Sequence, residues 1–236
     1  MASGHRRVRL RAGRRLRAAG HGARHGLAAL AAAGLLVWAA APGPVHAQPP
    51  PAEAPVIVCL GDSLTAGYGL AREQSYPALL QARLKAMGLP HRVVNAGVSG
   101  DTSAGGLARM DWLLRQRMDV LVVALGGNDG LRGLAPEQME RNLAAIVEKG
   151  RAAGAAVVLA GMRMPTNYGP DYRRRFEAVV PSLARRTGAP LIPFLLEGVA
   201  MNPRLNQPDG IHPTEEGTKI VEANVWKVLN AVIAER

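Results

Sequence analysis

The chain has 236 residues, 48% of them hydrophobic, which is enough for one domain with a full core and excludes a disordered chain. Its formal net charge is +11, yet eight of its 29 basic residues and none of its 18 acidic ones fall within residues 1–47. The remainder carries 21 basic against 18 acidic residues, a balance with no electrostatic footprint for nucleic acid or another polyanion.

Residues 1–47 read as a signal peptide. A basic stretch from Arg6 to Arg24 precedes an apolar run over residues 27–41, and Val45-His46-Ala47 puts small side chains where a signal peptidase reads. The run is short for a membrane span, which weighs against the competing reading, an uncleaved anchor. The pairs Arg6-Arg7 and Arg14-Arg15 also fit a twin-arginine route. Removal of the leader would leave an exported protein, periplasmic or secreted, with no stable membrane span. The single cysteine, Cys59, has no partner in the chain and reads as a small core residue.

Residues 48–55 form a proline-rich linker, and 56–236 read as a single domain. Within it, five short apolar runs at 56–60, 92–96, 120–125, 156–160 and 190–195 have the Val/Leu/Ile content of strands covered on both faces. Segments of helical spacing separate them. Tyr76, Leu79, Leu80, Leu84 and Met87 share one face and Gly88 stops that helix. Leu107, Met110, Leu113 and Leu114 mark a second helix. Pro136 opens a third, with Met139, Leu143, Ile146 and Val147 inward. Phe176, Val179, Val180 and Leu183 mark a fourth, which Pro181 is expected to kink. Thr214 caps the last, whose stripe is Val221, Val225, Val228, Leu229 and Val232. Such alternation predicts an α/β fold, a parallel sheet with helices on both faces. Ligands then bind beyond the carboxyl ends of the strands.

The loops at that end carry the chemistry. Gly61-Asp62-Ser63-Leu64 follows the first strand, where a serine is rigidly held yet open to solvent. Asn95-Ala96-Gly97-Val98-Ser99-Gly100 follows the second, Gly126-Gly127-Asn128-Asp129-Gly130 the third, and Asp209-Gly210-Ile211-His212-Pro213 lies in the last connection. Together they offer a hydroxyl, glycine amides, a side-chain amide and a carboxylate–imidazole pair, the parts of acyl transfer. Each also reads as an ordinary turn. Beyond the leader only His91 and His212 remain, and His91 precedes the second strand, at the wrong end of the sheet. A histidine base must therefore be His212, and Asp209 can hold its tautomer. Asn128 can point an amide at a developing oxyanion, and Gly97 can bring a backbone N–H close to substrate. There is no G-x-S-x-G elbow, H-E-x-x-H, C-x-x-C or P-loop, and nothing calls for a metal.

In this order and spacing the four blocks resemble the SGNH (GDSL) hydrolases, along about the whole of the chain beyond the leader. Gly100-Asp101-Thr102-Ser103 and the run from Gly126 to Gly133 narrow the resemblance to exported bacterial arylesterases, acyl-CoA thioesterases and lysophospholipases. The resemblance implies a three-layer fold with a five-stranded parallel sheet in flavodoxin-like order. It implies ester or thioester hydrolysis through an acyl-enzyme, without a cofactor. It makes Ser63 the nucleophile, His212 the base and Asp209 its orienting acid. The oxyanion hole would combine the N–H groups of Ser63 and Gly97 with the Asn128 side chain. Asp62 is expected to brace the serine turn, and the Met162–Pro170 loop to wall an acyl site. The expected substrate is a small acyl ester or thioester, lysophospholipids among them. The competing functions are a carbohydrate O-deacetylase on the same fold and a binding protein without chemistry.

Overall fold

β1 (Val56–Gly61) is buried along its whole length and forms the middle of the site-bearing half of the sheet. The computed structural model describes residues 53–235; the expected leader and most of the linker lie outside the described residues. β1 pairs in parallel with β2 (Arg92–Gly97) on one side and β3 (Val120–Ala124) on the other. β4 (Ala156–Ala160) and β5 (Leu191–Ile192) complete a five-stranded sheet of order β2-β1-β3-β4-β5, the flavodoxin-like order. The register sets Gly61 beside Gly97 and beside Ala124, so β1, β2 and β3 end level. Three loops therefore leave the sheet side by side.

Alternate residues of β1 feed two cores. Val56, Val58 and Leu60 face α3 (Ser103–Leu113), α5 (Pro136–Ala152) and α6 (Pro170–Thr187), whose Met110, Leu143 and Phe176 are buried there. Ile57 and Cys59 face α2 (Tyr76–Ala86) and α7 (Glu215–Ala234), which contribute Tyr76, Leu80, Val225 and Leu229. Each such side chain, fully buried, stabilises the fold by about 1.5–3 kcal/mol. The helix that Thr214 was expected to cap does begin there, with the Thr214 hydroxyl accepting from the Gly217 N–H.

The structure corrects the sequence reading in places. β2 is covered less fully than expected: Val93 and Val94 pack against the two cores, but Arg92 and Asn95 are exposed, as suits an edge strand. β5 is two residues long rather than six, and the chain turns at Pro193 as soon as it has paired with β4. Met87 is exposed at the last turn of α2 rather than inward. Two short helices, α1 (Ser63–Ala66) and α4 (Gly127–Leu131), occupy segments read as loops. Both follow strands that end level at the site.

Candidate active site

Ser63 is the first residue of α1, directly beyond buried β1. Asp62 caps that helix, its Oδ1 accepting the Leu64 N–H at 3.0 Å. The cap fixes the turn that presents Ser63, as expected of Asp62. Asp62 is almost wholly buried, and burial pushes its carboxyl up to about 6, against the pull of the Leu64 N–H and the nearby His212 charge. Beneath the turn, the Thr65 hydroxyl and the Tyr76 phenol are hydrogen-bonded at 3.1 Å, a buried link between α1 and α2.

His212 arrives from the opposite edge of the sheet, on the connection from β5 to α7. Its Nε2 lies 2.8 Å from Ser63 Oγ, and its Nδ1 lies 2.7 Å from Asp209 Oδ2. The other Asp209 oxygen accepts the N–H groups of Ile211 and His212 at 2.9 and 3.0 Å. These bonds, the His212 N–H foremost, hold the Asp209 carboxyl down at about 2. An ionised Asp209 makes Nδ1 the protonated nitrogen and leaves Nε2 free to accept from the serine hydroxyl. His91 stands just before β2, at the amino ends of the strands.

Two contacts steady the imidazole that the sequence reading did not find. The Tyr68 ring lies 4.6 Å from the His212 ring, tilted by 38°. Gln207 ties the turn shut: its N–H donates to the His212 carbonyl at 2.7 Å, and its Nε2 donates to the carbonyls of Tyr68 and Pro213. No motif marks Gln207, whose role depends on two segments that meet only in three dimensions.

The expected anion-stabilising groups fare differently. The Ser63 N–H, at the first position of a helix, has no acceptor among the described residues. Asn128 lies on α4 beside the serine, its Nδ2 donating to the Asp101 carbonyl at 2.9 Å and to Asp62 Oδ2 at 3.3 Å. Gly97 does not fit the part given to it. Its N–H is committed to Asn95 Oδ1 at 2.9 Å, and its Cα is pressed against α1, where a Cβ would lie 2.2 Å from the Ala66 nitrogen. Gly97 thus lets β2 and α1 touch. The glycine of that loop on the cavity wall is Gly100, at φ +82°, whose N–H has no acceptor among the described residues. Asp129, next to Asn128, binds both the N–H and the hydroxyl of Ser103 and so holds the 98–102 loop against α4.

Ser63, Asn128, Gly100 and His212 open into one cavity of about 730 Å³. Met162, Met164, Phe194, Leu196 and Ile211 make its wall largely apolar, and the expected loop supplies residues 162–166. No group of three or more His, Cys, Asp or Glu side chains among the described residues is placed to hold a metal ion. A polarised hydroxyl, a tautomer-fixed imidazole and convergent N–H donors beside an apolar cleft suit nucleophilic attack on an acyl carbon.

Comparison with known proteins agrees with that chemistry. Residues 59–220 match the GDSL-like Lipase/Acylhydrolase family. Esterase TesA of Pseudomonas aeruginosa is 47% identical over 183 residues, 77% of this chain and 91% of that protein. The thioesterase 1/protease 1/lysophospholipase L1 of Escherichia coli is 42% identical over 183 residues, 77% of this chain and 86% of that one. A solved structure of the psychrotrophic esterase EstA from Pseudoalteromonas, inhibited by monoethylphosphonate, superposes with a TM-score of 0.73 at 34% identity, covering 76% of this chain and 98% of that chain.

Proposed function

The chain belongs to the GDSL-like lipase/acylhydrolase family, and on that premise we propose that it is a serine esterase, cleaving carboxylic esters and thioesters at Ser63. The observation that carries the assignment of roles is the unbroken chain of contacts from Asp209 through His212 to Ser63, at 2.7 and 2.8 Å. His212 Nε2 takes the Ser63 proton as Oγ bonds to the acyl carbon. The carbonyl oxygen becomes an oxyanion, met by the Ser63 N–H, the Asn128 amide and the Gly100 N–H in place of Gly97. The imidazolium, steadied by ionised Asp209, passes its proton to the departing alkoxide or thiolate. Water then repeats the sequence: His212 removes its proton, the hydroxide adds to the acyl-enzyme, and the carboxylic acid leaves as Ser63 regains its proton.

The substrates are small acyl esters and thioesters with an aliphatic chain, lysophospholipids among them. The apolar wall and the volume of the cavity favour such a chain over the acetyl group of a carbohydrate deacetylase. The leader pattern in residues 1–47 supports export to the periplasm, and no helix among the described residues is long and apolar enough to cross a membrane.

Hydrolysis of short- and long-chain p-nitrophenyl esters by wild type and Ser63→Ala tests the assignment. Turnover in the wild type and its loss in the variant are expected. A p-nitrophenyl alkylphosphonate is expected to leave one stable adduct on Ser63, seen by mass spectrometry. Turnover that survives in folded Ser63→Ala would remove Ser63 from the mechanism. N-terminal sequencing of the exported protein should begin near Gln48; a soluble product starting before Leu27 would overturn the leader assignment.

A further inference from the structure

Eight large hydrophobic side chains are exposed among the described residues. Six of them, Tyr68, Val98, Leu131, Leu134, Met201 and Ile211, stand at the end of α4 or on connections that follow the carboxyl ends of strands. The other two, Met87 and Trp112, lie in the closing turns of α2 and α3, which run back towards the opposite end of the sheet. Scattered single hydrophobics need no explanation, but a concentration around one opening does. Tyr68, Leu131, Met201 and Ile211 line the cavity that holds Ser63 and His212.

Met201 is the most exposed of them at 89%, and it is the one non-glycine residue among the described residues with positive φ, at 65°. A methionine there gains nothing from burial and bears a strained backbone. The same end carries exposed cations. Arg132 and Arg204 have no carboxylate within salt-bridge distance among the described residues, and Arg163 has only a loose 3.7 Å contact with Glu197. Arg132 is directed at the rim by its bond to the Gly100 carbonyl at 2.7 Å. Apolar side chains flanked by exposed arginines, two of them without a carboxylate partner among the described residues, match an acyl layer beneath phosphate headgroups.

We propose that this rim docks the domain on an anionic phospholipid surface, with Met201, Ile211, Leu131 and Tyr68 entering the acyl boundary and the arginines meeting the phosphates. Docked so, the cavity faces the membrane, and a lipid ester reaches Ser63 without crossing bulk water. The delivery of substrate rests on the esterase reading above; the docking itself does not.

The described residues, 53–235, belong to one compact unit, so the test uses residues 48–236, free of the leader. Ser63→Ala protein is sedimented with phosphatidylcholine vesicles with and without phosphatidylglycerol. Binding is expected to be stronger with phosphatidylglycerol and to weaken as salt rises. Met201→Asp and Ile211→Asp are each expected to lower the partition coefficient about tenfold. Met87→Asp and Trp112→Asp are expected to leave it unchanged. The proposal is overturned if the parent does not sediment, if all four variants lose equally, or if Met201→Asp binds like the parent. It is equally overturned if light scattering shows a dimer that Met201→Asp converts to monomer, since a second copy would then cover the rim. Circular dichroism and melting confirm that each variant is folded. Hydrolysis of a short soluble ester by the protein with Ser63 intact is measured alongside; its absence indicts the esterase reading and leaves the vesicle result standing.

Discussion

Asn128 Nδ2 donates to Asp62 Oδ2 across 3.3 Å, near the long limit of hydrogen bonding, while its second bond to the Asp101 carbonyl is a firm 2.9 Å. The amide is thus held in place by one bond and lightly occupied by the other. An oxyanion forming on Ser63 can displace the weaker contact without moving the loop.

Asn128 should therefore act on the transition state. Asn128→Ala is expected to lower kcat by roughly 10²–10³-fold with little change in KM, as other oxyanion-hole side chains do. If Asn128 only shaped its turn, the variant would melt earlier and its folded fraction would keep kcat within about threefold of wild type, far below that effect. Steady-state kinetics and a melting curve on this one variant decide between the two.

Gly97 and Gly100 should separate in the same assays. Alanine at 97 drives a Cβ to 2.2 Å from a backbone nitrogen of α1, which cannot yield without moving the serine helix. Gly97→Ala is expected to cost about 1–3 kcal/mol of stability, or roughly 2–12 °C in Tm. At Gly100 the nearest atom to a new Cβ is the Arg132 guanidinium at 3.7 Å, so space is free and only the positive φ resists. Gly100→Ala should lose kcat out of proportion to Tm. The reverse pattern would return the backbone donor to Gly97.

Asp209 stays ionised through neutral pH, since its folded value of about 2 lies below the ordinary 3.8. Its contribution to stability is complete above the unfolded value and is lost as pH falls through the folded one. An acid limb of kcat/KM above about pH 4 must then belong to another group. Asp209→Asn preserves one oxygen for the Ile211 and His212 N–H groups but favours the wrong tautomer, and should lower kcat about 10⁴-fold. His212→Ala should be at least as severe, and His91→Ala close to wild type. Equal losses at the two histidines in folded proteins would refute the placement of the base.

Asp62 makes a claim of the opposite sign. Its folded value is raised from 3.8 to about 6, so the folded protein holds that proton more tightly than the unfolded chain. The stability this lends is complete below the unfolded value and is lost as pH rises through about 6, a change on the order of 3 kcal/mol. Urea unfolding of wild type and Asp62→Asn between about pH 4 and pH 8 should show the difference moving in favour of the variant up to about pH 6–7, then levelling. A flat difference would mean that Asp62 is solvated or paired in solution.

The central strands were legible because burial on both faces leaves a continuous apolar run, as in Val120–Ala124. The edges were not: β2 reads as buried from Val93-Val94, yet its exposed Arg92 and Asn95 reflect a missing neighbour, which composition does not record. That Ser63, Asp209, His212 and Asn128 come together was legible, because each sits in a short motif beyond a strand. Gly97 was misplaced because two glycines three residues apart suit the same loop, and only packing against Ala66 tells which faces the cavity. Gln207 and Tyr68 had no local signal, since each acts on a segment distant in the chain.

Ser63 and the imidazole nitrogen facing it are 149 positions apart. The serine follows β1, which is flanked by β2 and β3, while its partner lies beyond β5, on the segment that crosses back from the far edge of the sheet to α1. Contacts of such sequence separation are slow to form. Any state in which the 193–214 segment is not yet in place would have a hydroxyl that nothing deprotonates, inert towards the esters around it. During refolding, turnover should lag behind the recovery of helical signal, so that the enzyme is armed only on completion.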